Sequence, residues 1–144
     1  MNTFPVDLLF LFPNLEVLNL YVNVITEIGP LDGLKTMNNT LKLNLSYNSI
    51  KAIPLELLKL MPNLEILDLS YCGITEIGSL EGLHLDKLRE FSFNDNEIET
   101  FPSDLLSLMP NLKMLNLQSC GITDVSSVTG PIMKRLSKLS LIHI

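Results

Sequence analysis

The sequence has little that would suit export or membrane insertion. Its longest purely apolar run is Leu8 to Phe12, far short of the about 20 residues that a membrane-spanning helix needs. The first residues, MNTFPVDLLFLFP, lack a basic region and a small-residue cleavage site. There are only two cysteines, Cys72 and Cys120. These absences predict an intracellular protein, cytoplasmic or nuclear, with no membrane segment and in a reducing compartment.

Catalytic motifs are also lacking. The sequence contains no phosphate-binding glycine loop, no nucleophile elbow, no HExxH and no CxxC. Its two histidines, His84 and His143, have no cysteine or serine partner at a suggestive spacing. We therefore predict a non-catalytic protein with no metal site and no cofactor.

The charge balance argues against nucleic acid as the main ligand. The net charge is −6, and acidic residues are spread over both halves of the chain. A surface of this kind repels a phosphate backbone, so no direct nucleic-acid binding is expected. An apolar content of 47% in 144 residues is too high for a disordered chain and suits one folded domain.

The sequence contains six copies of one short repeat. An xLxL core recurs at intervals of 25, 24, 24, 24 and 24 residues. No single copy is large enough to bury its own apolar face, so adjacent copies must stack into a shared core. The equivalent first positions are Leu15, Thr40, Leu64, Leu88, Leu112 and Leu136.

The clearest copies are LEVLNLYVNVI, ending at Ile25, and LREFSFNDNEI, ending at Ile98. The pattern L-x-x-L-x-L-x-x-N, with an isoleucine two residues later, resembles the leucine-rich repeat family over essentially the whole chain. The resemblance implies an α/β fold: a curved right-handed superhelical solenoid, with a parallel β-sheet on the concave face and short helical or 3₁₀ segments on the convex face. The usual activity of the family is protein binding.

The repeats also predict local structure. Strands are expected near residues 18, 43, 67, 91, 115 and 139, with Leu64, Leu67 and Leu69 pointing inward and Ile74 and Ile77 behind them. Pro-initiated apolar segments predict helical turns at about 5–11, 54–60 and 102–108. The glycines of the ITEIG segments break any long helix, so irregular or short 3₁₀ structure is expected in these segments. The second repeat has one extra residue before Thr40, so we expect a bulge or a loosened loop at Lys35–Asn39.

The ninth motif position is always asparagine or cysteine. The resemblance implies that these side chains lie under the turn leaving each strand and bond to backbone groups of adjacent repeats. We interpret both cysteines as buried structural thiols. Two repeats separate them, roughly 10 Å, which is too far for a disulfide, and a redox or metal pair would need further ligands. The column is Asn23, Asn48, Cys72, Asn96 and Cys120.

The alternate strand residues, at motif positions three, five, seven and eight, are expected on the concave face. Exposed tyrosines suit interface anchors, although such residues also simply flank a core. The acidic group Glu90, Asp95, Glu97 and Glu99 is interpreted as a solvated edge, with a basic partner segment or Ca²⁺ as alternatives. The predicted partner-binding residues are Val17, Tyr21, Lys42, Tyr47, Ile66, Asp68, Tyr71, Glu90, Asn94, Met114, Asn116 and Gln118.

Residues 1–144 are predicted to form a single leucine-rich repeat domain. Neither end carries the polar cap that a solenoid needs, so we expect a fragment of a longer solenoid, ends covered by a partner, or self-association through them. The predicted function is a scaffold or adaptor that binds another protein, whose identity the sequence does not give. The alternatives are a structural subunit docked permanently in a large assembly, and the targeting region of a larger enzyme.

Overall fold

The computed structural model describes residues 2–99, 103–122 and 134–140. Six short strands form one parallel sheet in chain order, and each strand lies at its predicted place. The predicted stack of repeats is therefore confirmed. The strands are β1 Val17–Asn19, β2 Lys42–Asn44, β3 Ile66–Asp68, β4 Glu90–Ser92, β5 Met114–Asn116 and β6 Lys138–Ser140.

The strands pair in the register of the motif. Position four of each repeat lies beside position four of the next, as Leu43 lies beside Leu67 and Leu67 beside Phe91. These side chains point into the core and are buried from β1 to β5, because alternate residues of a strand face opposite sides of the sheet. Equivalent motif positions of adjacent repeats therefore lie side by side across the sheet.

Within the described residues, three helices cover the side opposite the sheet. They are α1 Val6–Leu11, α2 Leu55–Lys59 and α3 Ser103–Ser107, as predicted to within a few residues. Pro5 and Pro54 occupy the N-cap positions of α1 and α2, where proline costs no hydrogen bond that the helix needs. The ITEIG segments that precede the next repeat are irregular, with turns at 32–33 and 81–82. Their third counterpart, around residues 123–130, lies outside the described residues.

One apolar core runs through the stack. Leu64, Leu67, Leu69 and Ile74 are fully buried, as predicted. Ile77 is half-buried and packs against the same cluster. The core is continuous because each repeat contributes the same inward positions.

The extra residue of the second repeat leaves the sheet undisturbed. β1 and β2 keep the register Leu18 to Leu43, and the added length lies in the exposed link Lys35 and Thr36. Met37, within the predicted loosened loop, is buried, and its backbone N–H donates to the carbonyl of Leu60 at 2.6 Å. Thr40 replaces leucine because its Oγ1 donates to the carbonyl oxygen of Leu15 at 2.7 Å.

Motif position ten of the odd repeats has a left-handed backbone. Gly73 and Gly121 adopt φ of +64° and +71° there, and Val24 adopts φ of 49°. A left-handed conformation costs a residue with a Cβ about 1–2 kcal/mol, and a β-branched side chain makes it worse. Val24 is exposed, so its side chain gains little by burial.

The replacement Val24→Gly is therefore expected to stabilise the protein by about 1 kcal/mol, measured by urea unfolding. Relief of the strained φ exceeds the entropy that glycine adds to the unfolded chain. The control is Val17→Gly, which removes an equally exposed valine from an ordinary strand backbone and is expected to destabilise. Equal destabilisation by both variants would show that Val24 is not strained.

Candidate binding surface

The side chains at the ninth motif position bond to the backbone at the edge of the sheet. Asn96 is buried, and its Oδ1 accepts hydrogen bonds from the N–H groups of Cys72 (3.1 Å) and Ile74 (3.0 Å). Its Nδ2 donates to the carbonyls of Leu69 and Phe93, both at 2.9 Å. One side chain thus satisfies four buried backbone groups. It joins the third repeat to the fourth.

Asn48 makes the same set of contacts between the first two repeats. Its Oδ1 accepts from the N–H groups of Asn23 and Ile25, and its Nδ2 donates to Leu20 and Leu45. Asn23 is half-exposed, and its Nδ2 donates to the carbonyl of Tyr21 at 3.0 Å. The same residue type therefore carries very different numbers of contacts in successive repeats.

The two cysteines take the asparagine position in the third and fifth repeats. Both are buried and free of disulfide. The Sγ of Cys72 donates to the carbonyl of Leu45 at 3.1 Å, and that of Cys120 donates to Phe93 at 3.0 Å. Burial raises the pKa of the Cys72 thiol from 9.0 to about 11, partly offset by the N–H of Asn48. Burial likewise raises the pKa of Cys120.

This shift predicts a loss of stability in alkali. Between pH 9 and 11 the unfolded protein releases the Cys72 proton while the folded protein keeps it, so deprotonation favours unfolding. The contribution is fully present below pH 9 and is lost as the pH rises through about 11. We expect the free energy of unfolding to fall by about 2 kcal/mol more in the native protein than in Cys72→Ala. Urea unfolding at pH 8, 9, 10 and 11 measures the difference. Parallel curves for the two proteins would contradict it, since all other titrating groups are common to both.

An asparagine or aspartate side chain at motif position five accepts a hydrogen bond from the backbone N–H two residues further along the chain. The Oδ1 of Asn44 accepts from the N–H of Ser46 at 2.9 Å, and the Oδ1 of Asp68 accepts from the N–H of Ser70 at 3.0 Å. Asn116 bonds Gln118 in the same way. The sequence predicts Asp68 and Asn116 as partner contacts, and in the structure one oxygen of each bonds the chain as it leaves the strand. The recurrence of asparagine or aspartate at this position is the sequence signal for the turn, because these short side chains bond the backbone of such turns.

Motif position three forms a row across the sheet. Register places Lys42 beside Ile66, and Ile66 beside Glu90. Val17, Lys42 and Glu90 are exposed, whereas Ile66 and Met114 are half-buried. Apolar and charged side chains therefore alternate along this row at the strand spacing of about 4.8 Å, as the sequence predicts.

Motif position eight projects from the edge of the sheet. Its N–H groups continue the ladder beyond the strands: Tyr47 donates to the carbonyl of Ser70, and Tyr71 to that of Asn94, both at 3.0 Å. The backbone there turns through the left-handed region, which sequence reasoning missed because none of these residues is glycine. The residues and their φ values are Val22 (58°), Tyr47 (58°), Tyr71 (53°), Asp95 (59°) and Ser119 (53°).

Stacking of equivalent positions brings two tyrosine rings together. The centroids of Tyr47 and Tyr71 are 4.3 Å apart, with an angle of 12° between the rings. Both remain exposed, by 51% and 42%. A hydrogen bond from the Tyr71 hydroxyl to Asp95, followed by one involving Tyr47 and by the nearby negative charge, raises the pKa of Tyr71 to about 12. We call Tyr47, Tyr71 and Asp95 the tyrosine edge.

The predicted partner-binding residues thus fall into three groups. Tyr47 and Tyr71 meet at the tyrosine edge, whereas Tyr21, at position seven, lies in another column. Asn94 lies beside the edge, where its Nδ2 donates to Asp95 Oδ2 at 2.9 Å. The position-three residues Val17, Lys42, Ile66, Glu90 and Met114 form the row. Asp68 and Asn116 are the last residues of β3 and β5, and Gln118 lies in the turn after β5.

Within the described residues there is no group of three or more His, Cys, Asp or Glu side chains that could hold a metal ion. No helix in that part of the chain is long and apolar enough to cross a membrane. A recess of about 510 Å³ on the side of the helices lies beside α2 and is lined by residues that include Ile28, Ile53, Glu56 and Lys59.

Sequence comparison agrees with this geometry. A leucine rich repeat model matches residues 62–122, and a model for two copies of leucine rich repeats matches residues 41–82. The chain belongs to the leucine-rich repeat proteins. No curated protein matches it.

A solved structure with the same architecture supports the fold of this leucine-rich repeat chain. A leucine-rich repeat protein of Leptospira interrogans superposes with a TM-score of 0.64 at 24% identity, over 98% of this chain and 40% of that protein. The chain thus spans 40% of the length of that relative. Internalin C2 of Listeria monocytogenes aligns with 26% identity and a TM-score of 0.41, over 90% of this chain and 72% of that one.

Proposed function

We propose that this chain is a non-catalytic scaffold or adaptor that binds another protein through the concave sheet face and the tyrosine edge. The carrying observation is that Tyr47 and Tyr71 stack while staying about half exposed. Two rigid aromatic rings on an ordered backbone offer contact area at little cost in conformational entropy. Leucine-rich repeat proteins are generally scaffolds rather than enzymes, which supports the same assignment.

The proposed contact residues extend from the edge across the sheet. The position-three row supplies alternating apolar and charged side chains. Asn94 and Gln118 follow strands β4 and β5 at the end of the sheet where the tyrosine edge lies. The backbone of this surface is ordered before a partner arrives, because the strands and the position-eight residues bond to the next repeat. We propose an intracellular partner protein, in keeping with the two buried unpaired thiols.

Peptide selection tests this function. Dodecapeptide binders would be selected from a random displayed library against the intact chain, and their site mapped from amide chemical-shift changes. We expect the Tyr47→Ala/Tyr71→Ala variant to bind them at least about tenfold more weakly, the loss typical of central aromatic anchors, with its unfolding free energy little changed.

The matched control removes two exposed aromatic rings elsewhere. The Phe10→Ala/Phe12→Ala variant changes side chains that are exposed to a similar degree and lie on α1 and just after it. Its affinity for the selected peptides should stay at the native value. Binders that lose affinity equally in both variants, or that map to the convex side, would contradict the proposal.

One observation favours a second candidate, a subunit docked in an assembly. Leu8, Leu11 and Phe12 are exposed, whereas the equivalents of Leu8 and Phe12 in the next pair of repeats, Leu57 and Met61, are fully buried. A partner seated on these side chains would shield them from water. Light scattering of the isolated chain separates the candidates: a stable monomer at high concentration would remove the support for this one.

A further inference from the structure

The tyrosine edge offers aromatic surface of a particular kind. The rings of Tyr47 and Tyr71 are stacked on each other, so their remaining exposed surface faces solvent on one side of the edge. Val22, the next residue of the same column, is also exposed. Aromatic rings attract cations, and the planar guanidinium of arginine packs against them best.

Asp95 lies where it would contact such a cation. Its Oδ2 accepts a hydrogen bond from Asn94 Nδ2 at 2.9 Å, and Tyr71 precedes it in the same column, with its N–H bonded to the carbonyl of Asn94 at 3.0 Å. A carboxylate has about four acceptor positions, so positions are left for a donor from outside. A guanidinium that lies against the rings can therefore bond this neighbouring carboxylate.

Further negative charge surrounds this carboxylate. Ser70 Oγ lies 2.6 Å from Asp68 Oδ1 and 2.6 Å from Asn94 Oδ1, so a polar chain links Asp68 to Asp95. Glu90 is exposed in the position-three row of the same repeat as Asp95. Across residues 2–99, 103–122 and 134–140 the one ion pair joins Lys59 to Glu56. The carboxylates near the tyrosine edge thus carry charge that no lysine or arginine of the described chain pairs with.

The placement of Lys42 limits where a cation can lie. Lys42 is exposed in the position-three row, next to Ile66, and would repel a cation over the centre of the sheet. The tyrosine edge has Asp95 directly in its column and Glu97 two residues further along the chain. Charge complementarity therefore favours a cation at this edge rather than over the row.

We propose that the tyrosine edge binds a positively charged, extended peptide segment, with an arginine side chain packed against Tyr47 and Tyr71 and bonded to Asp95. This proposal rests on the proposed function and adds the chemistry of the partner. An extended segment suits the edge because the position-eight residues follow one another in a line across adjacent repeats, and alternate side chains of an extended segment face the same side. A protein segment with arginine at alternate positions is the ligand class that this surface fits.

Three labelled dodecapeptides test the proposal by fluorescence anisotropy against the intact chain. They alternate glycine with arginine, with lysine or with glutamate. We expect the arginine peptide to bind at least about tenfold more tightly than the glutamate peptide, and more tightly than the lysine peptide because only arginine packs flat and bonds with two donors. Tyr47→Ala/Tyr71→Ala should weaken the arginine peptide about fivefold or more.

A pair of variants with the same change of charge separates this edge from general attraction. Asp95→Asn should weaken the arginine peptide at least about threefold, whereas Asp104→Asn, an exposed residue of α3, should leave it near the native value. Equal losses in both, equal affinity for arginine and glutamate peptides, or no arginine binding at 1 mM would overturn the proposal. If displayed peptides without cations still map to the sheet face, this inference fails while the proposed function stands.

Discussion

The replacement Asn96→Ala is expected to destabilise the protein by about 3–5 kcal/mol. The substitution removes the partner of two buried N–H groups, those of Cys72 and Ile74, and of two buried carbonyls. Each buried backbone group left without a partner costs about 1–3 kcal/mol, and water entering the space recovers part of the sum. Urea unfolding followed by circular dichroism measures the loss.

Asn23 provides a control at the same motif position. It is half-exposed, and its amide donates to the exposed carbonyl of Tyr21. We expect Asn23→Ala to cost less than about 1 kcal/mol, because water can replace the lost bond. Similar losses in the two variants would mean that the residue type, rather than its buried contacts, determines the effect.

The second large effect is expected at Phe93. Its side chain is fully buried and packs against Phe91, with ring centroids 5.5 Å apart and an angle of 52° between the rings. The equivalent position is leucine in the adjacent repeats, at Leu69 and Leu117. Phe93→Ala should cost about 3–5 kcal/mol, because neighbouring repeats on both sides hold the cavity open.

Phe12 serves as the comparison for that substitution. It is 55% exposed, so Phe12→Ala removes the same atoms with far less loss of burial and should cost under about 1 kcal/mol. Phe93→Leu, which matches the neighbouring repeats, is expected to lie between the two. A cost for Phe93→Ala no greater than for Phe12→Ala would show that the core is not packed as described.

Most of the fold follows from the spacing of leucines. Inward positions such as Leu67 recur every 24 residues, so the strands, their order and their register are all fixed by one periodicity. The positions of the helices follow from Pro5 and Pro54, since proline marks a helix start. Local and long-range signals agree at nearly every repeat, which is why the prediction succeeds.

The details of the surface were less predictable. The left-handed turn at position eight occurs at tyrosine and valine, residues that rarely adopt it, and bonds between repeats impose it. That turn determines that Tyr47 stacks on Tyr71 while Tyr21 does not join them. The internal use of the Asp68 carboxylate likewise depends on the path of the chain. Whether the twelve predicted contact residues bind a partner stays a prediction.

The alternation of asparagine and cysteine makes successive junctions unequal. Asn48 and Asn96 each join a pair of repeats with three hydrogen bonds across the junction, whereas Cys72 and Cys120 hold the intervening junctions with a sulfur, a weak donor and acceptor. The chain is therefore a series of two-repeat modules coupled by softer joints. Mechanical force or heat should therefore separate the repeats first at the cysteine junctions. Repeats should be added or removed at those junctions when the protein is redesigned.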